Sequence, residues 1–321
     1  MNSEKIKMLE LVSDENGVIA ALAIDQRNAM RTMINTLDGE ERDKAIVKFK
    51  AAVSKELTKF SSSILLDPIY GLEAIKTKAN DAGLLMAYEV TGFKDDNRRP
   101  ELLENWSVKR LKEIGANAVK ILLYYDVDDE KYNNTIKQAF VERIGSECDS
   151  ENLPFFLEII TYDNNIKDSK SIEFAKVKPH KVNEAVKEFV KPRYKVDVLK
   201  LEVPVNMKYV EGYGEEFVYT REEALKFFKE QSDLSPLPFI FLSAGVSAEL
   251  FQETLKFARQ SGSKFNGVLC GRATWAGGVE KFIEDEKKGL EWLKTEGKKN
   301  IESLNTVLKE TATSWKEKFE K

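Results

Sequence analysis

The chain has 321 residues, 42% hydrophobic and 32% charged, a mixture that fills one barrel-sized core and coats a polar surface. Its formal charge of −4 argues against a general nucleic-acid binder, which would carry a basic face. His180 is the only histidine, so an H-E-x-x-H zinc site is excluded.

Taken in chain order, the N-terminal stretch MNSEKIKMLELVSDENG has no signal-peptide apolar core, and no later apolar run reaches the ~20 residues of a membrane span. A cytoplasmic protein is expected, with no membrane and no nucleic-acid partner. Eight short apolar runs then follow: VIAALAID (18–25), SSILLD (62–67), LLMAYE (84–89), NAVKILLYYD (117–126), PFFLEIITYD (154–163), VDVLKLEV (196–203), PFIFLSAG (238–245) and GVLCGRA (267–273). Strands apolar on both faces belong to a parallel sheet covered by helices. Amphipathic segments alternate with them, among them 42–59, 102–114, 185–190, 222–230 and 248–260, with Thr220 and Ser247 as N-caps. The tail from Glu280 reads as two further helices, the second charged and packed on the outside. His180, in KPHKVNEAV, falls at an apparent helix start and is expected to be structural or superficial. Cys148 and Cys270 read as reduced packing residues.

Eight β–α repeats without a dinucleotide fingerprint, a linker or a composition break fit one closed (β/α)₈ TIM barrel with additional C-terminal helices, spanning 1–321 as a single unit. Chemistry in such barrels sits at the C-terminal strand ends. Those ends carry Asp25, Asp67, Glu89, Lys120, Glu158, Lys200, Ser243 and the pair Gly271 and Arg272. Asp67 and Asp126 read as solvated strand ends. Lys120, Glu158 and Lys200 are flanked by apolar residues, and burying such groups is costly unless they are paired or used.

A lysine shielded from water, near a second cation, loses its proton more easily and becomes a nucleophilic amine. Lys120 and Lys200 come from alternate strands and can approach each other. One would form an imine with a ketone, Glu158 would move protons during dehydration, and Asp25 would act on substrate hydroxyls. A structural ion-pair network is the competing reading, and a magnesium site built from Asp67, Glu89 and Glu158 is another. Glycines in SAGVS and CGRA, with Arg272 and a helix starting after Ser247, suit a phosphate after the seventh and eighth strands.

These stretches, with ALAIDQR, SSILLDPIYGL, WSVKRLKE, VKILLYYDVD, ERIGSEC, VDVLKLEVPVNMKYVEG, LSAGVSAELFQETLKFA and GVLCGRATWAG, run in order from about Ala21 to Ala276. Together they resemble the class I tagatose-1,6-bisphosphate aldolases of the tagatose-6-phosphate pathway in Gram-positive bacteria. The resemblance implies metal-independent, cofactor-free cleavage of D-tagatose 1,6-bisphosphate into dihydroxyacetone phosphate and D-glyceraldehyde 3-phosphate, with fructose 1,6-bisphosphate also accepted. It implies Lys200 as the Schiff-base lysine, Glu158 as acid/base, Lys120 as the neighbouring lysine, and Asp25 acting with them. Gln26, Ser243, Gly245, Gly271, Arg272 and the strand-end Glu89 are then substrate-binding, and the protein is a homo-oligomer. Asn28 stands where the family usually has a glycine, and a left-handed backbone there would suit Asn better than most residues. Arg27 and Arg31 are candidates for the 6-phosphate. A sulfosugar-phosphate aldolase on the same barrel and a sugar-phosphate-sensing regulatory protein are the alternative functions.

Overall fold

The computed structural model describes residues 1–93 and 95–319. Eight strands form a closed parallel barrel in sequence order: β1 (Ile19–Ala23), β2 (Ser63–Leu66), β3 (Gly83–Ala87), β4 (Ala118–Tyr125), β5 (Phe155–Thr161), β6 (Val198–Leu201), β7 (Phe239–Leu242) and β8 (Gly267–Cys270). β8 pairs back onto β1 through Ile19–Gly267 to Leu22–Cys270, so no strand edge is left open. The TIM barrel expected from the alternation is the fold.

Side chains alternate across each strand, and the two resulting sets separate cleanly. One buried cluster contains Ala21 and Ala23, Leu65, Leu85 and Ala87, Ala118, Phe156, Val198, Ile240 and Leu269, which fill the barrel interior. The other contains Leu22, Ile64, Leu84 and Met86, Val119 and Ile121, Leu157, Leu199 and Val268, which meet the helices. Extending the interior set by steps of two leads from Ala23 to Asp25, from Ala87 to Glu89, from Ala118 to Lys120, from Phe156 to Glu158 and from Val198 to Lys200. The pleat thus delivers all five ionisable residues to the mouth.

The helices depart in places from the sequence expectation. Only Val108–Glu113 of the 102–114 segment is helical, because Leu102 bridges Glu89 and Ser107 caps the helix at Arg110. His180 lies well inside the helix Ile172–Phe189 rather than at its start, despite Pro179. Thr220 forms a capping box with Glu223, and Ser247 caps Ala248–Gln260 by accepting from Leu250 N–H, both as expected. The tail is more broken than two helices: Val279–Glu284 precedes Glu286–Trp292, a π-turn at Leu293–Gly297, Lys298–Thr311 and a 3₁₀ turn at Trp315–Lys318. Nor does it stay outside. Trp315 is buried beneath the barrel with Leu9 and Val12, and its indole N–H donates to Ser13 Oγ at 2.8 Å, closing the bottom. No helix among the described residues is long and apolar enough to cross a membrane.

Candidate active site

The strand C-termini open into a cavity of about 910 Å³ lined by Asp25, Gln26, Glu89, Lys120, Glu158, Lys200, Ser243, Gly245, Gly271 and Arg272. All ten residues picked from the sequence therefore share one space. Among its walls are four carboxylates (Asp25, Glu89, Glu158 and Glu202) and seven cations (Arg27, Lys120, Lys170, Lys178, Lys200, Lys208 and Arg272). The excess of cations suits an anionic ligand on a protein of net charge −4.

Lys120 is 1% exposed and sits among three carboxylates: Glu158 Oε2 at 2.7 Å, Asp25 Oδ2 at 2.9 Å and Glu89 Oε1 at 3.0 Å. Burial alone would favour its neutral form, but these three charges outweigh it and hold the ammonium well above the usual lysine range. Three carboxylates thus favour the charged form of Lys120. Lys200 contacts one carboxylate, Glu158 Oε1 at 2.7 Å, and shares it with Lys120. Glu158 joins the two lysines through its two oxygens.

The carboxylates respond to the same fields. Burial pushes Asp25 up, but Lys120 and Lys200 more than offset it and hold the group well below the usual range. Glu158 is likewise raised by burial and lowered further by the same two lysines, ending below its ordinary value. Glu89 ends above its ordinary value, because burial exceeds the pull of Lys120 and Arg27. Arg27, missed in the sequence as a buried residue, donates to the Glu89 backbone carbonyl at 2.7 Å and to Glu89 Oε1 at 3.4 Å. Its adjacency to Asp25 and Gln26 was the available signal. Gln26 Oε1, Arg27 Nε and Glu89 Oε2 are buried without a hydrogen-bond partner among the described residues, so unused polar capacity remains at this mouth.

The β7–β8 side is built from backbone. Ala244 and Gly245 both take positive φ, 50° and 74°, turning the chain directly after Ser243. A Cβ on Gly245 would lie 2.9 Å from Arg272 Nη2, so glycine is what lets the guanidinium lie against this loop. The 13-residue helix Ala248–Gln260 begins beside it.

Other residues fall elsewhere. Asp67 and Asp126 are buried, not solvated: Asp67 pairs with Lys50 and accepts from the Ile69 and Tyr70 amides, and Asp126 pairs with Lys181. Asp67 does not line the cavity, so the magnesium set of Asp67, Glu89 and Glu158 does not converge. No group of three or more His, Cys, Asp or Glu among the described residues is placed to hold a metal. Asn28 opens the helix Asn28–Met33 with negative φ, so no left-handed turn occurs there. Arg31 pairs with Asp43 and stays off the cavity wall. His180 is exposed and bonds Asp128 at 3.0 Å. Cys148 and Cys270 are buried free thiols.

Comparison with known proteins agrees with this geometry. Residues 19–277 match the model of the DeoC/LacD family aldolases. The chain is 58% identical over 324 residues to tagatose 1,6-diphosphate aldolase 2 of Enterococcus faecalis, covering 100% of this chain and 98% of that protein. It is 59% identical over 322 residues to tagatose 1,6-diphosphate aldolase of Staphylococcus aureus, covering 99% of each. Among solved structures it shares its fold with an archaeal fructose 1,6-bisphosphate aldolase (TM-score 0.58, 13% identity, 94% of this chain and 97% of that one). Fructose-bisphosphate aldolase from Slackia heliotrinireducens is similar in fold too (TM-score 0.60, 14% identity, 96% and 90%). With a family match across the whole barrel and relatives aligned end to end, this chain belongs to the DeoC/LacD family of aldolases and is a carbon–carbon lyase.

Proposed function

We propose that the enzyme is a class I, Schiff-base aldolase that cleaves D-tagatose 1,6-bisphosphate into dihydroxyacetone phosphate and D-glyceraldehyde 3-phosphate, and that it also accepts fructose 1,6-bisphosphate. The observation that carries the reading is the row Lys200–Glu158–Lys120, in which one carboxylate lies 2.7 Å from each of two lysines opposite a glycine-and-arginine loop. The names of the two relatives above support the substrate.

In this scheme Lys200 is the nucleophile. Its Nζ, once unprotonated, attacks the C2 ketone of the open-chain sugar, and the carbonyl oxygen takes up a proton to give a carbinolamine. Glu158, 2.7 Å from Lys200, takes the proton that the attacking nitrogen sheds and passes it to the hydroxyl, which leaves as water, producing a protonated imine. A carboxylate then takes the proton of the 4-hydroxyl, the C3–C4 electrons flow into the iminium, and the aldehyde departs. Asp25 is suited to handling these hydroxyl protons. The enamine left on Lys200 is protonated at C3, and water hydrolyses the imine to release dihydroxyacetone phosphate. Lys120 remains charged and holds Asp25, Glu89 and Glu158 in place. The iminium is the electron sink, so the scheme draws on no metal or cofactor.

Ser243, Gly245, Gly271 and Arg272 take the C1-phosphate in this reading, with Gln26 and Glu89 on the sugar. The 6-phosphate falls to the side of Lys170, Lys178 and Lys208; Lys170 and Lys208 have no carboxylate within ion-pair distance among the described residues. A cytoplasmic homo-oligomer completes the proposal. The test is borohydride reduction in the presence of dihydroxyacetone phosphate, followed by peptide mass spectrometry. A reduced adduct on Lys200 is expected; an adduct on Lys120 would exchange the lysines' roles. Folded, ligand-binding protein that gives no adduct would overturn the Schiff-base reading.

A further inference from the structure

We infer that Tyr124 contacts the substrate through its phenol, hydrogen-bonding the part of the sugar beyond C2 that leaves as the aldehyde, and thereby helps select the configuration at C4. The inference rests on the aldolase reading above.

The β4 pleat places Ala118, Lys120, Leu122 and Tyr124 on the interior face, so Tyr124 stands two steps above Lys120 and lines the cavity. Its ring is held from behind. Phe93 meets it edge-on at 5.4 Å, and the Arg98 guanidinium lies 5.9 Å from its centroid. The hydroxyl, by contrast, is unused. Tyr70, Tyr88, Tyr125, Tyr162, Tyr194 and Tyr219 all place their hydroxyls on protein partners. That of Tyr124 has no partner among the described residues. Tyr209 also lines the cavity with its hydroxyl unpartnered among the described residues, but it sits on the 3₁₀ turn Met207–Tyr209 beyond the end of β6.

Strand position decides which part of the substrate Tyr124 meets. The C1-phosphate belongs to the β7–β8 loops and C2 to Lys200 on β6, which fixes the ketone half at both ends. β4 lies two strands beyond β6, on the side away from that phosphate, so its mouth-level side chain faces carbons past C2. Burial and the nearby Glu158 charge keep the phenol protonated, available as a donor to a sugar oxygen. The two candidate bisphosphates differ only at C4, where one fixed hydrogen bond discriminates.

Tyr124→Phe retains the ring and its packing and removes only the hydroxyl. Cleavage of tagatose 1,6-bisphosphate is expected to fall about tenfold or more in kcat/KM. In condensation of dihydroxyacetone phosphate with glyceraldehyde 3-phosphate, the fraction of the minor 4-epimer should change. Borohydride trapping of dihydroxyacetone phosphate on Lys200 should be unaltered, because that half does not reach Tyr124. Wild-type kcat/KM, an unchanged epimer ratio, or a parallel loss of trapping would each overturn the inference. Failure of the wild-type protein to trap dihydroxyacetone phosphate would instead count against the Schiff-base proposal.

Discussion

Glu158 and Lys200 face each other directly in the β5–β6 register, and their side chains meet at 2.7 Å. Barrel geometry thus sets an acid beside an amine without help from a loop. If Lys200 is the nucleophile, Lys200→Met removes the only group able to form the imine. Cleavage should fall by on the order of 10³-fold or more, with no borohydride adduct and a far-UV spectrum like that of the wild type. Near-normal turnover would eliminate the assignment.

Lys120 offers a different kind of test, because it answers three carboxylates where Lys200 answers one. Lys120→Met leaves Asp25, Glu89 and Glu158 crowded in a buried site without their shared cation. Removing one partner of a buried ion pair costs roughly 3–5 kcal/mol. Lys200→Met leaves Glu158 still beside Lys120 and should cost clearly less. Denaturant titrations of both variants check the order, and equal losses would contradict the network described.

The same network gives a signed pH dependence. Lys120 and Lys200 hold Glu158 below its ordinary 4.5, overcoming burial, so its contribution is present above 4.5 and is lost as pH falls through the folded value. Asp25, held below 3.8 by the same lysines, behaves likewise at lower pH. Glu89 runs the other way: burial raises it, and acidification relieves its cost. Comparing the protein with Glu158→Gln isolates one contribution. The difference in Tm between them should narrow as pH drops below 4.5. A difference that stays constant from about pH 7 to about pH 3 would refute the assignment.

Much of this site was legible because period-two alternation is strict: once Lys120, Glu158 and Lys200 stand inside apolar runs, the pleat decides where they go. Sequence failed where burial depends on a distant partner. Asp67 ends an apolar run just as Glu89 does, yet the helix Gly39–Leu57 brings Lys50 to it and turns it into the wall. Nothing local to SSILLD announces that. Arg27 stood beside Asp25 and Gln26 in the sequence, but its burial was hidden because its partner Glu89 is 62 residues away. The buried Trp315 depends on a chain end crossing under the barrel, a path that a charged tail does not advertise.

Gly245 couples backbone strain to the proposed phosphate site. With φ at 74° and only 2.9 Å from a built Cβ to Arg272 Nη2, Gly245→Ala strains the turn and displaces the guanidinium together. The direct stability cost of a side chain at positive φ is about 1 kcal/mol. The larger effect should fall on KM for the bisphosphate, rising about tenfold as a charge-assisted contact is disturbed. Steady-state kinetics decide it; an unchanged KM would detach this loop from phosphate recognition.

Asp67 separates structural from functional acids at strand ends. Both it and Lys50 are fully buried, and burial lowers the pKa of Lys50 more than Asp67 restores it, so the pair is held at a desolvation cost. Asp67 also anchors the turn into Leu72–Thr77 through the Ile69 and Tyr70 amides. Asp67→Asn keeps an amide-accepting oxygen but leaves the Lys50 ammonium without its countercharge. A stability loss of roughly 3–5 kcal/mol follows if that ammonium stays charged, and less if it sheds its proton. Since Asp67 lies off the cavity wall, the folded variant should still trap dihydroxyacetone phosphate on Lys200 at the wild-type rate, even in excess chelator. Trapping lost at a temperature where the variant is folded would bring Asp67 back into the chemistry.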